Sequence, residues 1–293
     1  MILKEWETGG NYFSYQNNKV FYRKYGKGEL LVVFHGFPTS SWDWHKMSQE
    51  LEESFEVLYF DMLGYGFSDK PKFFNYSIHQ QADYALALIE HLGIKDFHIL
   101  AHDKGDTVAN EILARQLEGK VNLHIRSCCL LNGGLFPVIH KPRLVQKALM
   151  TPLGKYIARL YSFKMFQSTF RKIFGPQTQA SNTELEQLWW LMIHKEGMQV
   201  FHLLIHYMRD RVENENRWLV ALQETKVPLR LINGAFDPIS GKHMARHFEQ
   251  VIPNPDVILL QNIGHYPQLE APKDVFQAFI DFHQKLVSNS RFS

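Results

Sequence analysis

Only two cysteines occur in the 293 residues, Cys128 and Cys129, and they are neighbours in an apolar run. Adjacent cysteines supply neither a disulfide framework nor metal-ligand spacing, so both read as buried thiols in a strand. No run approaches the roughly 18 apolar residues of a membrane span. The start of the chain, Met1 to Glu7, lacks the long apolar stretch of a secretory leader. Charge of one sign is also missing: 32 Lys and Arg stand against 30 Asp and Glu, a formal +2, with no basic block to call for nucleic acid. There is no repeat, no low-complexity segment and no phosphate-cradling G-x-x-x-x-G-K loop. These absences lead us to expect a cytoplasmic protein with no metal or organic cofactor. Its expected partner is a small apolar molecule, not a nucleic acid or a membrane. Nothing in the sequence sets the oligomeric state.

What is present is enough apolar residue (45%) for one large α/β core, alone or with an insertion. Residues 11 to 25 alternate like a hairpin around Asn17-Asn18. Leu30 to Phe34, Val57 to Phe60, Phe97 to Leu100, Ile125 to Leu131, Leu229 to Ile232 and Asp256 to Leu260 are short apolar runs of the buried-strand kind. Helical patterns lie between them: Ser77 to His91, closed by Gly93, then Thr107 to Leu117, His243 to Glu249 and about Pro272 to Val287. The alternation breaks between about Phe136 and Arg217, where helical patterns rich in Phe, Tyr, Trp and Met show no buried strand. The expected organisation is a mostly parallel sheet flanked by helices, formed by residues 1–135 and 218–293, with residues 136–217 inserted as a helical cap. Sites in such sheets form at the carboxyl ends of the strands.

One of those ends carries Ile99-Leu100-Ala101-His102-Asp103-Lys104-Gly105-Asp106. The pattern small-x-acid-x-small is that of a nucleophile elbow, a strained strand-to-helix turn whose central side chain projects into an open site. Here that side chain is a carboxylate. A carboxylate is ionised at neutral pH and attacks an sp³ carbon without a base, leaving an ester that a second group must hydrolyse. Histidine suits that step, oriented by a further acid. His265, after Gly264 and before the last helix, and Asp237, after the strand Leu229 to Ile232, fill these roles. Asn132 is the polar rival to Asp237 and carries no charge. The order Asp103, Asp237, His265 is that of α/β-hydrolases. Backbone N–H groups of Phe37 and Lys104 are candidates for the oxyanion hole. Pro38 shapes the first of these loops, His35 braces it, and Asp61 and Asp106 read as structural.

Four segments carry a family resemblance: His35-Gly36-Phe37-Pro38, Asp61-Met62-Leu63-Gly64-Tyr65-Gly66-Phe67-Ser68, His102-Asp103-x-Gly105 and Gly264-His265-Tyr266-Pro267. Together they resemble the epoxide hydrolase and haloalkane dehalogenase branch of the α/β-hydrolase fold, from about residue 12 onward. His102 to Asp106, Asn132 to Pro137 and His265 to Glu270 are also similar to the mesoderm-specific transcript group, usually described as epoxide-hydrolase-like. The vertebrate members of that group carry an apolar amino-terminal segment that has no counterpart here. The resemblance implies an Asp-ester hydrolase with cap tyrosines that donate to an epoxide oxygen. Tyr207, thirty residues before Asp237, takes one such role, and Tyr156 and Tyr161 compete for the other. His35 and His102 are grouped with these as expected substrate-side residues. Two positions depart from the dehalogenase pattern. Phe37 replaces an Asn or Trp, and Lys104 replaces the Trp that follows the nucleophile. The leading expectation is therefore epoxide hydrolysis. Dehalogenation with an atypical halide site, and binding without turnover, are the alternatives.

Overall fold

The computed structural model describes residues 2–290. Met1 and residues 291–293, the outer ends of the two expected core segments, lie outside the described residues. Eight strands form one sheet in the order β1-β2-β4-β3-β5-β6-β7-β8. They are β1 (Asn11–Tyr15), β2 (Asn18–Gly26), β3 (Leu30–Phe34), β4 (Glu56–Phe60), β5 (Asp96–His102), β6 (His124–Leu131), β7 (Leu229–Gly234) and β8 (Val257–Leu260). β1 and β2 pair antiparallel, as do β2 and β4, and every later pair is parallel. All five residues of β3 are buried, because helices cover both faces of the parallel part. The hairpin turn lies at Gln16-Asn17, where both residues have positive φ, one position earlier than expected.

Two boundaries differ in an informative way. β5 runs to His102, and the next helix starts at Lys104, not at Thr107. Gly105 and Asp106 are weak helix formers and conceal the first turn in the sequence. Gly105 is nonetheless required, since a Cβ there would fall 2.7 Å from the Phe34 carbonyl oxygen and 2.8 Å from that of His35. Between β6 and β7 the described residues are helical or irregular. The expected break at residue 217 falls inside the helix Glu215–Glu224. That helix packs on Lys104–Leu117: Trp218 Nε1 donates to Glu111 Oε2 at 2.8 Å, and Arg217 Nε to Glu118 Oε1 at 2.6 Å. The preceding helix, Tyr207–Glu213, is thereby held over the elbow. Its Asp210 accepts from Ile78 N at 2.7 Å. No described helix is long and apolar enough to cross a membrane.

A short helix not foreseen from sequence, Leu3–Thr8, inserts Trp6 into the core. Its ring lies 5.4 Å from Trp42 and 4.9 Å from Tyr59 between centroids, with the Arg23 guanidinium 4.4 Å above it. Nε1 donates to Ser41 Oγ at 3.2 Å, which ties this helix to the segment after the Phe37 loop. Trp6→Ala is expected to cost about 3–5 kcal/mol by loss of burial and creation of a cavity. Urea denaturation measures it, and a loss below about 1 kcal/mol would show that this helix is peripheral.

Candidate active site

Asp103 occupies φ 48°, ψ −106°, between β5 and its helix. Few non-glycine residues hold such a conformation, and it turns the carboxylate out of the strand. Its N–H is held by the Leu131 carbonyl at 3.0 Å. Asp103 Oδ2 accepts from Phe37 N at 3.1 Å, so one expected oxyanion donor already faces the carboxylate. The Phe37-Pro38 peptide is cis. Burial works against ionising Asp103, but Arg211, His265 and His102 together with the Phe37 N–H hold its pKa below the usual carboxylate value.

His265 Nδ1 lies 2.8 Å from Asp237 Oδ2. Asp237 is fixed by Ile239 N at 2.7 Å, Ser240 N at 3.1 Å, Ser240 Oγ at 2.9 Å and Asn132 Nδ2 at 2.9 Å. Asn132 therefore supports the acid and does not replace it. Burial opposes the charge on both partners. Their mutual attraction prevails, raising His265 to about 8 and lowering Asp237 to about 2. The His265 loop is clamped by Glu270, which sequence reasoning passed over. Its carboxylate accepts from Gly264 N at 2.9 Å, Tyr266 N at 3.0 Å and Gly175 N at 2.7 Å.

His35 and His102, expected on the substrate side, are both buried against backbone groups. The two ring nitrogens of His35 lie 2.9 Å from Gly36 O and 2.9 Å from Met62 N, and burial drives its pKa down to about 3. It braces the Phe37 loop as a neutral ring. His102 Nε2 lies 2.7 Å from the His265 carbonyl oxygen, and burial lowers the ring to about 4. It too holds backbone. His98 is buried, with Nδ1 2.7 Å from Ser127 Oγ. Among the described residues the one His/Glu cluster spaced for a cation, Glu29, His98 and His283, lies at the amino ends of the strands, away from Asp103.

The tyrosines separate clearly. Tyr156 is 58% exposed on the outer face of its helix, so it is withdrawn from the site. Tyr161 is buried, stacks on Phe201 at 5.6 Å and lines a cavity with Phe37, Phe170, Phe201, Ile239 and His265. The cavity measures ≈ 40 Å³, room for a few water molecules. Tyr207 is fully buried, its ring 5.8 Å from Phe37 and 5.2 Å from Lys104 Nζ. Lys104 is itself buried and donates to Tyr65 Oη at 3.0 Å. Burial lowers its pKa to about 7, against the pull of Asp210 and Asp103.

The largest omission from the sequence reading is Arg211. It is 2% exposed, donates from Nε to Thr107 Oγ1 at 2.9 Å and from Nη2 to the Asp103 carbonyl at 3.0 Å, and approaches Asp103 Oδ1 at 3.5 Å. A signal existed: Arg211 lies four residues after Tyr207, on the same helical face.

The α/β-hydrolase fold family matches residues 29–181. The chain belongs to that family. The mesoderm-specific transcript homolog protein of Bos taurus is 38% identical over 96% of this chain and 87% of its own length. Among solved α/β-hydrolase structures, epoxide hydrolase CorEH is similar with a TM-score of 0.79 at 18% identity, covering 94% of this chain and 99% of its own. A haloalkane dehalogenase, the DbeA-M1 loop variant from Bradyrhizobium elkanii, gives a TM-score of 0.81 at 21% identity, covering 96% and 98%. At these identities the two structures share the fold with this hydrolase.

The electrostatics give a titration test. Because the His265 pKa of about 8 lies above its ordinary value, its charge stabilises the fold below the ordinary histidine range. That contribution is lost as pH rises through about 8. Asp237→Asn is expected to lower the His265 pKa by at least one unit, and Asp103→Asn by less. NMR titration of the imidazole checks this, and an unmoved value in Asp237→Asn would remove the ion pair from the account.

Proposed function

We propose that this α/β-hydrolase works through an ester on Asp103 and opens the epoxide ring of an apolar small molecule. The observation that carries the reading is a buried carboxylate at the strained elbow turn, with Arg211 and the Phe37 N–H beside it favouring its charged form. It is supported by the His265–Asp237 pair beside it and by the apolar side chains of the cavity. In the first step an Asp103 oxygen attacks a ring carbon and the ring C–O bond breaks. Esterification removes the Asp103 charge that helps hold the proton on His265, and in the second step the neutral ring takes a proton from water, which attacks the ester carbonyl. In this reading the N–H groups of Phe37 and Lys104 hold the oxyanion of that step, and the Phe37 N–H contact with Asp103 supports it. A serine at this position would form acyl esters. A carboxylate attacking an acyl group would instead form an anhydride, so carbon–heteroatom substrates fit better. The cavity is too small for such a substrate as it stands, so binding requires the helical segment above it to shift.

The test is intact-mass spectrometry of His265→Gln incubated with mixed epoxides and haloalkanes. Turnover should fall by about 100-fold or more. An adduct of full epoxide mass should accumulate on the peptide containing Asp103. An adduct short by one hydrogen halide would reassign the protein to dehalogenation. If the wild type consumes a substrate that leaves no adduct on the variant, the Asp103 ester is wrong.

A further inference from the structure

Arg211 carries its charge into the interior, where a cation is retained only with partners. Two of its nitrogens have them, but Nη1 has no hydrogen-bond partner among the described residues. Nor has Tyr207 Oη, nor either ring nitrogen of His140. These groups are neighbours. The Arg211 guanidinium lies 4.6 Å from the Tyr207 ring centroid. A Cβ on Gly134 would fall 2.3 Å from Arg211 Nη1 and 2.6 Å from His140 Nδ1, so only glycine lets the backbone there pass this close to Nη1 without displacing it.

The charges change during the reaction proposed above, and this inference rests on that reading. Before attack Arg211 faces the Asp103 carboxylate. Forming the ester abolishes that negative charge and would leave the guanidinium buried beside a neutral group. The same step creates negative charge on the departing atom. We propose that Arg211 is a further catalytic residue: Nη1, with Tyr207 Oη, binds the epoxide oxygen and accompanies it as the ring opens. The Asp103–carbon bond forms, the ring carbon–oxygen bond breaks, and its electron pair stays on oxygen. That oxygen takes the Tyr207 proton, and the phenolate forms beside Arg211. In hydrolysis His265 takes a proton from water and returns it to the alkyl oxygen leaving the ester. The carboxyl proton left on Asp103 restores Tyr207. Guanidinium N–H donors are directional and suit a compact oxygen better than a large halide. The substrate class is accordingly one with an oxygen leaving group, set next to an apolar chain.

The experiment follows alkylation of Asp103 by quenched-flow mass spectrometry in the His265→Gln background, with 1,2-epoxyhexane and 1-iodohexane as probes. Iodide departs without a proton or a strong donor, whereas an alkoxide needs both. Adding Arg211→Gln should slow the epoxide reaction at least 100-fold and the iodide reaction less than 5-fold. Any change in the nucleophilicity of Asp103 affects both probes alike, so their ratio isolates the departing atom. Arg211→Lys, which keeps the charge, should recover part of the epoxide rate, and it serves as the test if the Gln variant does not fold. Equal losses with both probes, or an unchanged epoxide rate, overturn the role of Arg211. No ester with either probe in His265→Gln alone overturns the Asp103 reading instead.

Discussion

The backbone at Asp103 is held at φ 48° by contacts on three sides, and the geometry of the site follows from it. Below, the Leu131 carbonyl fixes its N–H. Beside it, Gly105 lets the new helix touch the Phe34 and His35 carbonyls at the end of β3. Above, Arg211 Nη2 grips its carbonyl. Were any of these to relax, the side chain would swing back toward the strand direction and lose Phe37 N. The strain is sustained because the sheet and the Lys104–Leu117 helix are buried on both sides.

Around this turn, charge is placed in low dielectric and neutralised in pairs. Asp103 faces Arg211, and His265 faces Asp237. Groups without such a partner are pushed to their neutral forms. Burial raises the Asp106 carboxyl well above its ordinary value and lowers His35 and His102. The paired groups therefore sit where the proposed chemistry uses them, and the unpaired neutral ones hold backbone. Half of the first pair comes from the segment between β6 and β7. That segment supplies charge as well as an apolar roof, and the Glu111 contacts with Trp218 and Arg217 keep it in register with the elbow.

The sequence by itself determined the sheet, because parallel strands buried on both faces are continuous apolar runs such as Leu30 to Phe34. It also determined which residues follow strand ends, and so brought Asp103, Asp237 and His265 to one edge. Small residues around Asp103 marked the turn because close backbone approach is local. Tertiary structure alone decided which polar side chains face that edge. Tyr156 and Tyr161 lie five residues apart, and only packing exposes the first and buries the second. His35 and His102 carry the same ring as His265, yet their partners across the fold are backbone groups. Arg211 reaches Asp103 across 108 positions of chain. No pattern of period 2 or 3.6 encodes such a contact, since periodicity records which face of an element is buried and not what it meets there.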